Sequence, residues 1–143
     1  MRMKIPAVLT LALLSFTLCT SEEVTRCNLV GHWKDDLGSN MTIDTVFENG
    51  TFFGKYLTAV SSTNNTIVEW PLIGYQQLPL FGFTVKLFSN YIVVCTGQCF
   101  LEKSGQQVLQ TSWLLRSEAP NIENNWWQTR VGYNIFYPLK KRN

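Results

Sequence analysis

Beyond its first two dozen residues, the chain nowhere sustains a helical spacing of apolar side chains over a dozen positions; it breaks instead into short β-rich runs punctuated by turn residues. Eight runs stand out: Asn28 to Lys34, Asn40 to Val46, Thr51 to Val60, Ile67 to Tyr75, Phe81 to Phe88, Tyr91 to Phe100, Gln106 to Arg116 and Thr129 to Leu139. Between them lie Asp36-Leu-Gly-Ser, Asn49-Gly50, Ser61 to Asn65, Ser89-Asn90 and Ser104-Gly105, connections whose Gly, Asn and Ser content suits hairpins. Consecutive hairpins without a crossover helix make an antiparallel meander, and eight strands is the number at which a closed barrel encloses one small ligand. The pattern predicts an all-β fold, an eight-stranded antiparallel up-and-down β-barrel.

Alternation along each run then assigns an interior. Leu29, Gly31, Trp33 and Asp35 share one face of the first strand; Phe52, Gly54, Tyr56 and Thr58 share one face of the third; Leu109, Thr111, Trp113 and Leu115 share one face of the seventh. On the last strand, Arg130, Gly132, Asn134 and Phe136 oppose Val131, Tyr133, Ile135 and Tyr137. That second set is also apolar, so both faces ask for burial, which predicts an oligomer. Inward aromatics mixed with hydroxyl, amide and carboxyl groups suit an enclosed site for a small, partly polar molecule, although core packing alone would also account for Trp33, Tyr56 and Trp113.

With 143 residues the chain has room for one domain. Residues 1–20 combine Arg2 and Lys4 with an apolar stretch from Ala7 to Leu14 and small or polar residues after it, which reads as a signal peptide removed on secretion. Residues 21–143 are then the mature domain, secreted and extracellular; the apolar stretch falls short of the roughly 20 residues that span a membrane. A net charge of +2, with only Lys140, Lys141 and Arg142 clustered, offers no broad surface for nucleic acid.

Secretion leaves Cys27, Cys95 and Cys99, an odd number in an oxidising compartment, so one bridge and one thiol are expected. Cys95 and Cys99 lie four apart on one strand, too far along the chain to bridge comfortably; Cys27 to Cys99 is preferred, with Cys27 to Cys95 as the fallback. Sequons at Asn40, Asn49 and Asn64 fall at turns or strand ends and mark a glycoprotein.

Catalytic constellations are sparse. His32 is the single histidine and alternation turns it away from the Trp33 face, so neither a triad nor a histidine metal site has material. A Gly-rich phosphate loop, HExxH and CxxC are absent from the sequence, and Asp35 lacks a facing carboxylate for glycoside chemistry. The chain reads as a binding protein, not an enzyme, without a cofactor or metal.

Six stretches sharpen this: Gly31-His-Trp, Asp36-Leu-Gly-Ser-Asn-Met-Thr-Ile, Phe81-Gly-Phe-Thr-Val, Thr96-Gly-Gln-Cys-Phe, Thr111-Ser-Trp-Leu-Leu-Arg-Ser and Thr129-Arg-Val-Gly-Tyr-Asn-Ile-Phe. In this order, and spread from Cys27 to the C-terminus, they resemble the avidin family. The resemblance implies a homotetramer of eight-stranded barrels that sequesters biotin, with Cys27 and Cys99 as the family's bridge. It implies that Ser39 and Tyr56 donate to the ureido oxygen, while Thr58 and Asn134 accept from the ring N–H groups. Trp113 and Phe88 would pack on the bicyclic ring, and Trp126 would close a neighbouring subunit's site. Ser89 and Leu115 would approach the valeryl end, and Ser61, Ser62 and Thr63 would form a lid that meets the carboxylate.

Departures from the family pattern fall inside the site. Asp35 stands where the family usually carries Asn, and an ionised carboxylate can only accept. Such a mismatch costs about 1–3 kcal/mol unless Asp35 is protonated or turned away. A tryptophan expected near Lys86 and Leu87 is missing, Val93 and Cys95 replace a hydroxyl residue and a phenylalanine, Tyr91 replaces a serine, and the loop from Gln76 to Leu80 is shortened. These changes predict weaker binding than the family's strongest members show. They also keep open an alternative, a barrel whose altered pocket takes a different small molecule or serves as a structural glycoprotein.

Overall fold

A computed structural model of the chain describes residues 26–58 and 68–140. Within them, eight strands close into one antiparallel barrel: β1 (Gly31–Asp35), β2 (Asn40–Val46), β3 (Thr51–Leu57), β4 (Glu69–Gln77), β5 (Leu80–Leu87), β6 (Tyr91–Leu101), β7 (Gln107–Ser117) and β8 (Thr129–Pro138), in chain order around the wall. The expected fold class is the observed one. Closure comes from β8 returning to β1 through Trp33↔Pro138, Lys34↔Tyr137 and Asp35↔Phe136, which leaves no unpaired edge.

Boundaries depart from expectation where turns, not apolar content, decide them. The run beginning at Asn28 enters the ladder only at Gly31. β4 runs on to Gln77 because Gln77 pairs with Leu80, so Leu78-Pro79 alone makes the connection. Phe88, expected to end the fifth strand, instead adopts a left-handed backbone with φ 53° and terminates β5 at Leu87. A short 3-10 turn, Asn125–Gln128, precedes β8 and lay below the reach of periodicity arguments.

Alternation set the interior as expected. Along β7, Leu109 and Thr111 are buried while Trp113 and Leu115 are half-buried; along β6, Cys99 and Cys95 are buried, Val93 is half-buried and Tyr91 is exposed. This gradient means that one end of the barrel is filled solid and the other is open. Leu29, Trp33, Met41, Ile43, Phe52, Phe81, Leu109 and Phe136 plug the solid end. There the Trp33 indole N–H donates to the Leu29 carbonyl at 2.8 Å, which satisfies the one polar atom of that ring. Two glycines let walls approach: a Cβ at Gly54 would sit 2.0 Å from the Thr42 carbonyl oxygen, and one at Gly132 would sit 2.3 Å from the Trp113 ring.

A disulfide joins Cys27 to Cys99 across 72 residues and ties the segment before β1 to β6. Cys95 is the free, buried thiol, so the fallback pairing does not form. His32 is exposed on the outer wall, with Nδ1 3.0 Å from the Thr42 hydroxyl. Among the described residues no helix is long and apolar enough to cross a membrane.

Candidate functional site

The open half of the barrel holds a cavity of about 700 Å³, within the range of small-molecule sites. Its walls are apolar: Phe83, Val85 and Leu87 from β5, Val93 and Cys95 from β6, Trp113 and Leu115 from β7, and Phe136 from β8. Phe88, Asn90 and Tyr91 stand at the mouth, where Phe88 packs against Trp70 of β4 at a centroid distance of 4.8 Å. At the inner end, polar groups converge from β1, β3 and β8 and from the β1–β2 turn: Asp35, Tyr56, Asn134 and Ser39.

Why these groups converge follows from the local fold. The Asp35 Oδ1 accepts from the backbone N–H of Leu37 at 3.0 Å and of Ser39 at 2.7 Å, so the carboxylate organises the tight turn that carries Ser39 inward. Its Oδ2 accepts from the Tyr56 hydroxyl at 3.3 Å. The Ser39 hydroxyl in turn bonds the Tyr56 phenol oxygen. Both hydroxyls are thus engaged in a relay that ends on Asp35.

Asn134 is oriented from behind. Its Nδ2 donates to the Asp36 Oδ1 at 2.9 Å, and the same oxygen accepts from the Ile135 backbone N–H at 3.1 Å. Because a carboxylate only accepts, this pairing commits the amide nitrogen and leaves the amide oxygen as what Asn134 offers the cavity. The hydrogen bond from Asn134 is also the main reason the Asp36 carboxyl titrates below its ordinary range. The Thr111 hydroxyl fixes the backbone beneath by donating to the Asn134 carbonyl at 2.9 Å.

Burial, the largest effect, raises the Tyr56 phenol and pushes the Cys95 thiol up to about 12; the negative charge of Asp35 pushes both in the same direction. The floor of the cavity therefore keeps both groups protonated at neutral pH. Arg130 lines the cavity from the other end of β8.

Of the residues singled out in the sequence, Asp35, Ser39, Tyr56, Thr58, Phe88, Trp113, Leu115 and Asn134 all line this one cavity. Ser89 does not: it is exposed in the turn after Phe88, and Asn90 and Tyr91 line the mouth in its place. Trp126 lies on the 3-10 turn, 71% exposed and tilted against Trp127 at a centroid distance of 4.4 Å, outside its own chain's cavity. Ser61, Ser62, Thr63 and the sequon at Asn64 fall outside the described residues, as does the segment read as a signal peptide. Asn40 opens β2, and Asn49 sits in the β2–β3 turn.

Sequence reasoning passed over Phe83, Val85 and Leu87, although their period-two spacing on a Gly- and Phe-rich run signalled an inward face. It also passed over Trp70. Where a tryptophan was expected near Leu87, a buried leucine stands, and an indole from the adjacent strand covers the neighbouring Phe88.

Comparison with known proteins adds an independent line. A family-wide sequence description, the Avidin family, matches residues 23–139. The chain is 50% identical over 122 residues to avidin of Gallus gallus, an alignment that covers 80% of each chain. Among solved structures, the crystal structure of xenavidin aligns with a TM-score of 0.74 at 52% identity, covering 80% of this chain and 99% of that one. The X-ray structure of a biotin binding protein from chicken aligns with a TM-score of 0.74 at 44% identity, covering 81% and 99%.

Proposed function

The chain belongs to the avidin family, and from that premise we propose that it is a secreted, non-enzymatic protein that sequesters biotin inside its barrel. The observation that carries this reading is the convergence of Ser39, Tyr56, Thr58 and Asn134 on one cavity whose remaining walls are apolar. A urea-like head needs directed partners out of water, and a bicyclic ring with an aliphatic tail needs hydrophobic walls. The Asn134 amide oxygen accepts one ring N–H, and the Thr58 hydroxyl accepts the other. Tyr56 donates to the ureido oxygen by turning from Asp35 and Ser39 by turning from Tyr56, and the cost of those turns lowers affinity. Trp113 and Phe88 flank the ring, Leu115 lines the tail, and Ser61, Ser62 and Thr63 meet the carboxylate end.

A homotetramer completes the site. Val131 and Tyr133 on the outer face of β8 are 72% and 80% exposed in a single chain, an apolar strip that a second barrel covers. Trp126, exposed on its own chain, closes the cavity of a neighbour. Residues 1–20 direct secretion and are removed, and Asn40, Asn49 and Asn64 carry glycan. Neither nucleic acid nor membrane is a partner.

Calorimetric titration of the purified protein with biotin tests this. Saturable binding at one site per chain is expected; no saturation at millimolar biotin would end the proposal.

A further inference from the structure

We propose that the inner end of the cavity is built for a cationic, donor-rich head group, a guanidinium or amidinium, in preference to a neutral urea. This deepens the proposed function and rests on the reading that a bicyclic ligand of the biotin type enters head first.

The first ground is uncompensated charge. Asp35 is only 4% exposed, and the one salt bridge among the described residues joins Lys55 to Glu69 on the outside. No described cation therefore lies within pairing distance of the Asp35 carboxylate, nor of Asp36 behind Asn134. A buried carboxylate is costly unless paired with an opposite charge or supplied with donors. Here the protein supplies two backbone N–H groups on Oδ1 and one phenol at 3.3 Å on Oδ2. A carboxylate accepts at roughly four positions, and the hydrogen bonds seen among the described residues fill three, with the longest on Oδ2.

The second ground is direction. The donors that a urea oxygen would need, Tyr56 and Ser39, form a relay toward Asp35. Asn134 has its nitrogen committed to Asp36 and offers oxygen. Inward-facing functionality is thus weighted toward acceptors. A urea presents an acceptor oxygen to this surface and must draw the Tyr56 hydroxyl from Asp35 and the Ser39 hydroxyl from Tyr56. A guanidinium presents N–H groups on every edge, leaves the relay intact, and forms a charge-assisted bond with Asp35.

The far end supports the same ligand class. Arg130 lines the cavity and precedes Phe136, the partner of Asp35 across the β1–β8 joint, by six residues, a backbone rise of about 20 Å along the strand. The anionic tail of a ligand that enters head first is then directed toward the end of the cavity that carries Arg130.

The experiment compares biotin with 2-iminobiotin, whose guanidino head is protonated at pH 7, on the full-length secreted protein and on Asp35→Asn. Asparagine keeps an oxygen for the Leu37 and Ser39 N–H bonds, so the turn survives the substitution. The wild type is expected to bind 2-iminobiotin at least as tightly as biotin, and Asp35→Asn is expected to shift that preference about 10- to 100-fold toward biotin, the scale of one charge-assisted hydrogen bond. Tyr56→Phe provides a second readout: it weakens biotin, which needs the phenol donor, and spares 2-iminobiotin. If the wild type and Asp35→Asn favour biotin to the same degree, the inference falls while biotin sequestration stands. If neither ligand saturates either protein, both fall together.

Discussion

Replacing Gly132 by alanine tests whether the Trp113 indole is a wall of the binding site. Gly132 pairs with Trp113 across β7 and β8, and a Cβ there would lie 2.3 Å from Cζ2, 2.6 Å from Cε2 and 2.9 Å from Cη2 of the indole. Carbon atoms settle at about 3.5–4.0 Å, so the ring must retreat from β8 by roughly 1 Å, and the direction left to it is across the lumen. Overpacking of this kind costs about 1–3 kcal/mol. If that strain is felt when ligand pushes the indole back, biotin affinity drops about 10- to 100-fold. Calorimetric Kd values for the variant and the wild type read the effect, with a thermal melt of each ligand-free protein to show that the barrel persists. Gly54→Ala is the control: its Cβ would meet the backbone oxygen of Thr42 at 2.0 Å, a group that cannot swing aside, so stability falls instead. An unchanged Kd in a folded Gly132→Ala protein would refute the placement of Trp113 against the ligand.

Three further outcomes are expected. Replacing Cys27 and Cys99 by serine opens a loop of 72 residues and costs about 4 kcal/mol in the chain-entropy account, read as a lower urea midpoint; an unchanged midpoint contradicts it. Folding raises Cys95 from its ordinary 9.0 to about 12 and raises Tyr56 as well, so the folded state holds protons that the unfolded chain releases. That contribution is complete below pH 9 and is lost as pH climbs toward 12; urea midpoints should fall over that window, less steeply in Cys95→Ala, and a flat profile in the wild type would overturn the assignment. Tyr133→Glu places charge on the exposed strip of β8, and light scattering should show tetramers giving way to smaller species; a wild type that is monomeric at micromolar concentration contradicts the assembly.

What was legible in the sequence was whatever depends on local period and turn chemistry. Alternation placed Trp33, Tyr56, Trp113 and Asn134 on inward faces, and Asn49-Gly50 and Ser104-Gly105 marked hairpins that the barrel contains. Strand spacing spoke against a Cys95–Cys99 bridge and left Cys27 to pair with Cys99 or, as the fallback, Cys95; the family resemblance pointed to Cys99, the bridge observed. What escaped depends on competition between groups distant in sequence. The Tyr56 hydroxyl points at Asp35 because, across the barrel, a carboxylate is the strongest acceptor within reach. The left-handed turn at Phe88 replaces Ser89 at the mouth by Asn90 and Tyr91, and a period-two pattern carries no information about such a turn. Trp70 shields Phe88 through the register of β4 with its neighbours β3 and β5, which no local pattern in the sequence encodes.

A crystal structure of the protein grown with biotin tests the central claim most directly. The bicyclic head is expected at the inner end, between Tyr56 and Asn134 and beside Trp113, with its tail toward Leu115 and Arg130. Biotin bound to the outside of the barrel, or an interior closed by the protein's own side chains, would contradict the account.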